Sequence, residues 1–431
     1  MNSYGKGAGS GRARNSGCCS ARLIEQVTMV TLRGMAMIAL VSAFLVASAA
    51  VASAQTYSVL YSFSGAPDGA DPQAPVTLDA ATGNLYGTTT QGGSGSACVS
   101  GCGTVFELTS TGAESVLHSF TGNPDGIDPF DVFRDAKGNL FGTTVVGGAF
   151  SYYGTVFEIN SKGVEKVLHS FKSGADGGYP TSGLIQGANT VDFYGDTAGG
   201  GTYDGGTIYK ITASGSKTVL YSFGAKGTLG NTPESNLVQD GRTGNLYGLL
   251  AVGGPAGCGA VFELTPAGVE TALHVFTGAD GCEPGAGDPG LVMDAQENLF
   301  GTTSLGGIAG QGVVFELTSS GVEKVLYKFK GKKKGDGAQP YVGLVLDEST
   351  GNLYGTTVVG GTHDAGTVFK LSPPIKKNGR WVETVLYTFT GGADGLYPLA
   401  GLARDAQTGD LYGTAVGGGT YGWGVVFKLT P

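Results

Sequence analysis

Charged side chains make up only 14% of this 431-residue chain, against roughly a quarter in ordinary globular proteins, and they sum to a formal net charge of −9 at pH 7. A surface so poor in Lys and Arg offers no basic face to a phosphate backbone, which argues against nucleic acid as a partner. Histidine and tryptophan are scarce as well, with four and two residues. There is no G-x-S-x-G elbow, no HExxH helix and no phosphate loop, so the local signatures of the common hydrolases, zinc proteases and nucleotide enzymes are missing. Beyond residue 54 no apolar run approaches the roughly 20 residues of a membrane helix.

Glycine, by contrast, fills 79 positions, well above the roughly 7% of average usage. It does not recur at every third residue, which excludes collagen, and with 41% hydrophobic and 10% aromatic residues the chain has material for a core. The glycine must therefore punctuate a folded structure.

Arg33, the apolar residues 35–47 and the small-residue exit ending Ala52-Ser53-Ala54 form the n-region, h-region and A-x-A site of a signal peptide, with cleavage expected after Ala54. Met29 or Met35 would each serve as a normal start for it. The division expected is 1–54 as N-terminal extension plus signal peptide and 55–431 as one domain, secreted or periplasmic. Four cysteines follow Ala54: Cys98, Cys102, Cys258 and Cys282. An even number in an exported chain reads as disulfides, and zinc at Cys98-x3-Cys102 is the weaker reading, since no His lies nearby.

The hexamer Asn84-Leu85-Tyr86-Gly87-Thr88-Thr89 returns around Gly142, Gly195, Gly248, Gly301, Gly355 and Gly413, at spacings of 55, 53, 53, 53, 54 and 58. After each copy comes a glycine-rich loop and then a second element, Gly103-Thr104-Val105-Phe106-Glu107-Leu108 in the first, also present seven times. A third element, Val116-Leu117-His118-Ser119-Phe120, occurs only six times in repeat order; its seventh copy, Val59-Leu60-Tyr61-Ser62-Phe63, stands ahead of the first repeat. A fourth precedes each hexamer, as in Gly290-Leu291-Val292-Met293-Asp294. All four are short, rich in Val, Leu, Tyr, Phe and Thr, and bounded by Gly, Asp or Asn, which is the pattern of strands joined by tight turns. Each unit reads as a four-stranded antiparallel meander, strands a to d in chain order, and such units near 50 residues are propeller blades. The last repeat ends at strand c, so residues 57–63 supply its missing strand d. The fold expected is all-β, a seven-bladed β-propeller closed by an N-terminal outer strand that completes the last blade.

The consensus G-N-L-Y-G-T-T, then G-G, then G-T-V-F-E-L, then V-L-x-S-F resembles the GloVer tandem repeat of the choice-of-anchor bacterial exported proteins, over essentially the whole chain beyond residue 54. The resemblance implies bacterial export and a surface or extracellular role, without specifying an activity. The chain stops at Pro431 with neither an apolar tail nor a basic end, so release or periplasmic retention is expected rather than covalent anchoring.

In such a meander the b-to-c loops and d-to-a links share one face, and there the repeats differ most. The candidate ligand residues are Tyr152 and Tyr153 in blade two, Tyr203 and Asp204 in blade three, His363 and Asp364 in blade six, and Tyr421 and Trp423 in blade seven. Cys258 and Cys282 fall on this face and are close enough in the pattern to pair, the alternative being two free thiols. Asp-Gly recurs in the links at Asp68, Asp125, Asp176, Asp280, Asp336 and Asp394. These read as turns rather than calcium loops, because the ligand spacing of an EF-hand is absent. His118, His169 and His274 share one strand d position with Tyr61, Tyr221, Tyr327 and Tyr387, which marks packing rather than a metal or catalytic role. No catalytic residue, metal or cofactor is expected. The function expected is a non-catalytic exported binding or scaffold protein, monomeric, engaging a glycan or protein partner through this face. The alternative is a carbohydrate-active enzyme, a glycoside hydrolase or polysaccharide lyase, on the same face.

Overall fold

The computed structural model describes residues 55–224, 230–285, 290–376 and 379–431; the expected signal peptide and its cleavage site lie outside them. The described strands form a seven-bladed β-propeller, each blade an antiparallel sheet in the order a-b-c-d. Blade one consists of Thr77–Leu78, Leu85–Thr89, Thr104–Leu108 and Glu114–Ser119. In blade seven, Ala403–Arg404, Leu411–Ala415 and Val425–Thr430 are completed by the N-terminal Thr56–Ser62, which pairs antiparallel with Val425–Thr430.

The closing strand reproduces the others in detail. In blade one, Glu114 pairs with Leu108 and His118 with Val105, and Leu117 is skipped by a bulge. In blade seven, Tyr57 pairs with Leu429 and Tyr61 with Val426, and Leu60 takes the bulged place. A bulge at the same point of every strand d bends the outer edge in the same way. Within a blade, the glycine of each hexamer makes room for an aromatic ring of strand c. A Cβ on Gly87 would stand 2.6 Å from Cζ of Phe106, and one on Gly413 at the same distance from Phe427.

Three contacts join the blades, the first two at every seam and the third at six of the seven. Phe63, Phe120, Phe171, Phe223, Phe276, Phe329 and Phe389, just after each strand d, meet the strand c aromatic of the next blade edge to face, at 5.1–5.4 Å. Pairs of this kind contribute about 0.5–1.5 kcal/mol beyond the area they bury. Next, the glycine that opens each strand c lies against a proline of the following blade. A Cβ on Gly103 would come within 2.4 Å of Pro129 Cδ, and the ring closes on the same contact between Gly424 and Pro72, at 2.5 Å.

The third contact explains why His and Tyr interchange in strand d. Both place a polar hydrogen where the aspartate of the next link can accept it: His118 to Asp125, His169 to Asp176, His274 to Asp280, and Tyr61, Tyr327 and Tyr387 to Asp68, Asp336 and Asp394. The same carboxylates accept backbone N–H groups at the start of their links, from Ser64, Thr121, Lys172, Thr277, Lys330 and Thr390. The Asp-Gly pairs are thus hydrogen-bonded turns, and the strand d position is a hydrogen-bonding one as well as a packing one. At the seam between blades three and four, where the aspartate is missing, Tyr221 reaches Glu270 instead.

Into each of these knots the next blade projects the first inward residue of its own strand d. At the seam between blades two and three it is Lys217, with Nζ 3.1 Å from Asp176. Burial opposes ionisation of Asp176, but the His169 hydrogen bond and Lys217 outweigh it and hold the carboxyl down at about 2. At the seam of blades six and seven it is Tyr57, whose hydroxyl donates to the Asp394 carbonyl, and at the other five it is Glu. Burial, with Asp68 adding to it, raises Glu114 to about 7, and burial with Asp336 raises Glu383 to about 7 despite Lys330 and a hydrogen bond from Tyr327.

Two outcomes follow from these seams. Gly103→Ala should cost about 3 kcal/mol or more, since it adds a clash to a positive φ, whereas Gly112→Ala, with positive φ but open space around it, should cost about 1–2 kcal/mol in urea unfolding. Glu114 and Glu383 keep protons in the folded state that the unfolded chain releases above about pH 4.5. Their contribution to stability is therefore full below that pH and is lost as pH rises to about 7. Gln at both positions should flatten the fall in urea midpoint between pH 5 and 7 and leave the variant more stable than the parent at pH 8.

Candidate ligand site at the mouth of the central channel

The link entering each blade contains an X-Pro-X stretch just before strand a: Asp71-Pro72-Gln73, Asp128-Pro129-Phe130, Tyr179-Pro180-Thr181, Thr232-Pro233-Glu234, Glu283-Pro284-Gly285, Gln339-Pro340-Tyr341 and Tyr397-Pro398-Leu399. Every residue before these prolines has positive φ, between 53° and 60°, a conformation that costs a non-glycine residue of order 1 kcal/mol or more. The strain is held by the preceding blade. Each strained N–H donates to the carbonyl just ahead of the strand c glycine: Asp71 to Trp423, Asp128 to Cys102, Tyr179 to Tyr153, Thr232 to Gly205, Glu283 to Cys258, Gln339 to Gln311 and Tyr397 to Ala365, at 2.9–3.2 Å.

The residues after the prolines converge. Gln73, Phe130, Thr181, Glu234, Tyr341 and Leu399, from six blades, line one cavity of about 400 Å³ together with Asp71, Thr90, Gln91, Asp128 and Val145. Only the axis of the ring can be lined by so many blades at once, so this cavity is the mouth of the central channel, on the face of the b-to-c loops. Its polar groups are acids, amides and hydroxyls, and no Lys or Arg is among its lining residues. Gln73 and Gln91 both donate to Oδ2 of Asp71. Burial raises Asp128, with Asp71 adding to it, and burial raises Glu234, with Glu283 adding to it. Burial likewise raises Tyr341, reinforced by the two glutamates. The acids thus fall into two mutually repelling pairs, in each of which one carboxyl is pushed toward its neutral form.

Below the mouth, Asp196 replaces the threonine found at this point of strand b in most blades. It is 1% exposed, accepts the Ser182 hydroxyl at 2.6 Å, and leaves Oδ2 without a hydrogen-bond partner. Burial pushes its pKa well above the ordinary carboxylate value, with the Glu234 charge adding to it.

The loop residues expected to carry the ligand lie on this face around the mouth. Tyr152, Tyr203, Tyr421 and Trp423 are exposed. Tyr153 is not; it packs edge to face on Tyr179, and its carbonyl supports that strained residue. Asp204 and Asp364 each use one carboxylate oxygen to close their own loop, accepting the N–H of Gly200 and Gly360. Asp364 also lies 3.7 Å from Lys332, and His363 faces solvent beside the Thr362 hydroxyl. Trp423 borders a groove of about 770 Å³ shared with the blade one loop that Cys98–Cys102 closes. The second disulfide, Cys258–Cys282, ties the b-to-c loop of blade four to the entry of blade five.

The residues at the mouth were not singled out in the sequence. A signal for them exists: seven prolines in register, each followed by a different residue.

The sequence profile of the Gloeobacter/Verrucomicrobia repeat matches residues 48–192 and 191–347. The chain belongs to that repeat family. No curated protein matches it in sequence. Among solved structures, the gluconolactonase XC5397 of Xanthomonas campestris is similar at 12% identity and a TM-score of 0.42, over 89% of this chain and 92% of that one. A putative 6-phosphogluconolactonase of Bacteroides uniformis is similar at 15% identity and a TM-score of 0.48, over 77% and 89%. PorZ, a surface component of the type-IX secretion system of Porphyromonas gingivalis, is similar at 12% identity and a TM-score of 0.42, over 72% and 42%. None of these likenesses carries an inference about the chemistry of this repeat protein. Among the described residues no helix is long and apolar enough to cross a membrane.

Proposed function

We propose that this chain is an exported binding propeller that takes a hydroxyl-rich, uncharged or cationic glycan at the mouth of its channel, with the rim aromatics as a second contact. The supporting observation is the lining of the mouth: Asp71, Asp128 and Glu234 beside Gln73, Gln91, Thr90 and Thr181, with Phe130 and Tyr341 as flat apolar faces and no basic lining residue. Carboxylates and amides accept the hydroxyl hydrogens of a sugar, aromatic faces cover its C–H face, and an anionic ligand would meet repulsion. Two disulfides suit an oxidising compartment outside the cytoplasm. A hydrolytic reading has one observation in its favour. Asp128 and Glu234 are each raised beside a second carboxyl, as an acid partner in glycoside hydrolysis must be.

The purified protein, incubated with neutral, amino-sugar and uronic-acid polysaccharides, should be retained on one of the first two classes and not on the third. Asp128→Asn with Glu234→Gln should weaken retention at least about tenfold, the loss of one or two charged hydrogen bonds. Trp423→Ala or Tyr421→Ala should weaken it less. Release of soluble sugar, abolished by Glu234→Gln with binding kept, would replace binding by hydrolysis. Retention on uronic acids alone, or binding indifferent to the mouth variants, would overturn the proposal.

A further inference from the structure

The seam knots differ in one respect that their shared geometry makes visible. At the seam between blades two and three, the pocket beside His169 and Asp176 already holds a cation. Lys217 is 3% exposed there and donates to both the carboxylate and the backbone carbonyl of Asp176. At the seam between blades four and five the same three positions are His274, Asp280 and Glu323. A carboxylate stands there in place of the cation, and the nearby Lys328 donates to the Ala279 carbonyl and reaches Glu323 only through its charge.

The three side chains form a ligand set. His274 Nε2 lies 3.1 Å from Asp280 Oδ2, and one ligand atom from each of the three residues lies within 4.8 Å of the others. Among the described residues this is the one group of three His, Cys, Asp or Glu side chains that meets that limit. Oε1 of Glu323 is buried and accepts no hydrogen bond. The ring of His274 is held edge-on against Phe276 at 4.8 Å, and Asp280 is fixed by Thr277, so two of the donors are oriented before any ion arrives. The seam of blades one and two has the same residue types in His118, Asp125 and Glu165, and Glu165 Oε1 is likewise without a hydrogen bond, but their ligand atoms do not all come within that limit. At the seams of blades seven and one and of blades five and six, a tyrosine hydroxyl stands in place of the imidazole and hydrogen-bonds the aspartate. Such a group is no ligand for a divalent metal while it keeps its proton.

We infer that His274, Asp280 and Glu323 bind a zinc-class divalent cation across the seam of blades four and five. One imidazole and two carboxylates suit zinc and its neighbours, and three protein ligands leave a position for water. Calcium prefers six to eight oxygens and is not expected there. The ion would occupy the place that Lys217 takes two seams earlier. It would latch blades four and five at the periphery of a seam that Cys258–Cys282 already fastens near the channel.

The experiment uses the untagged protein, stripped with chelator, and follows zinc by calorimetry and by thermal unfolding. One equivalent should bind and raise the melting temperature. His274→Tyr, the residue found at this position in other blades and so compatible with the fold, should weaken zinc by at least roughly tenfold, the least that loss of even a supporting group costs. Glu323→Gln should do the same. His118→Tyr, at the matching seam of blades one and two, should leave the affinity unchanged. Zinc binding that survives His274→Tyr, an equal loss in His118→Tyr, a calcium response equal to that of zinc, or no binding at all would each overturn the inference.

Discussion

The structure depends on how closely one blade approaches the next. At each seam a strand c glycine gives up its side chain so that a proline of the following blade can lie against the backbone, and a phenylalanine beside it meets the next strand c ring edge to face. Neither contact works alone. Without the glycine the blades stand too far apart for the ring pair, and without the ring pair the glycine is only a flexible point in a strand. Because the same two contacts recur at all seven seams, the ring closes without a special joint. The closing contacts, Phe63 on Phe106 and Gly424 on Pro72, are ordinary members of the series.

That close approach also builds the site. The proline that fits the glycine holds the residue ahead of it at positive φ, and the carbonyl of the previous blade secures it there. Seven strained residues are thereby fixed around the axis, and six of the residues after the prolines line its mouth. Conservation and variation divide along the repeat: Gly, Pro and Phe hold the ring, while the positions flanking each proline are free to differ. Four of these carry carboxylates, Asp71, Asp128, Glu234 and Glu283, and their mutual repulsion is tolerated because the scaffold and not the site supplies the folding energy.

Much of the fold was legible in the sequence. Four strand patterns per repeat, and a seventh strand d placed ahead of the first hexamer, were enough to give blade number and closure, because β-pairing is written in local alternation and turn residues. The equivalence of His and Tyr in strand d was legible too, but its cause was not, since the aspartate that both serve lies six to nine residues further on. The site was the least legible part. Its residues share no residue type and no motif, and only their register with an invariant proline marks them. Loop aromatics drew attention instead because they break the repeat conspicuously. Most of them are exposed on the expected face, yet Tyr153 is spent on supporting Tyr179, and Asp204 and Asp364 on closing their own loops.

The central claim is that Thr56–Ser62 belongs to the ring as fully as any other strand d. Native-state hydrogen exchange measures this directly. The amides of Thr56–Ser62 bonded to Val425–Thr430 should exchange only through global unfolding, with the protection of the matching amides in Glu114–Ser119 and Glu323–Lys328. If they exchange orders of magnitude faster while the other outer strands stay protected, this strand frays on its own and the ring is not held by this closure.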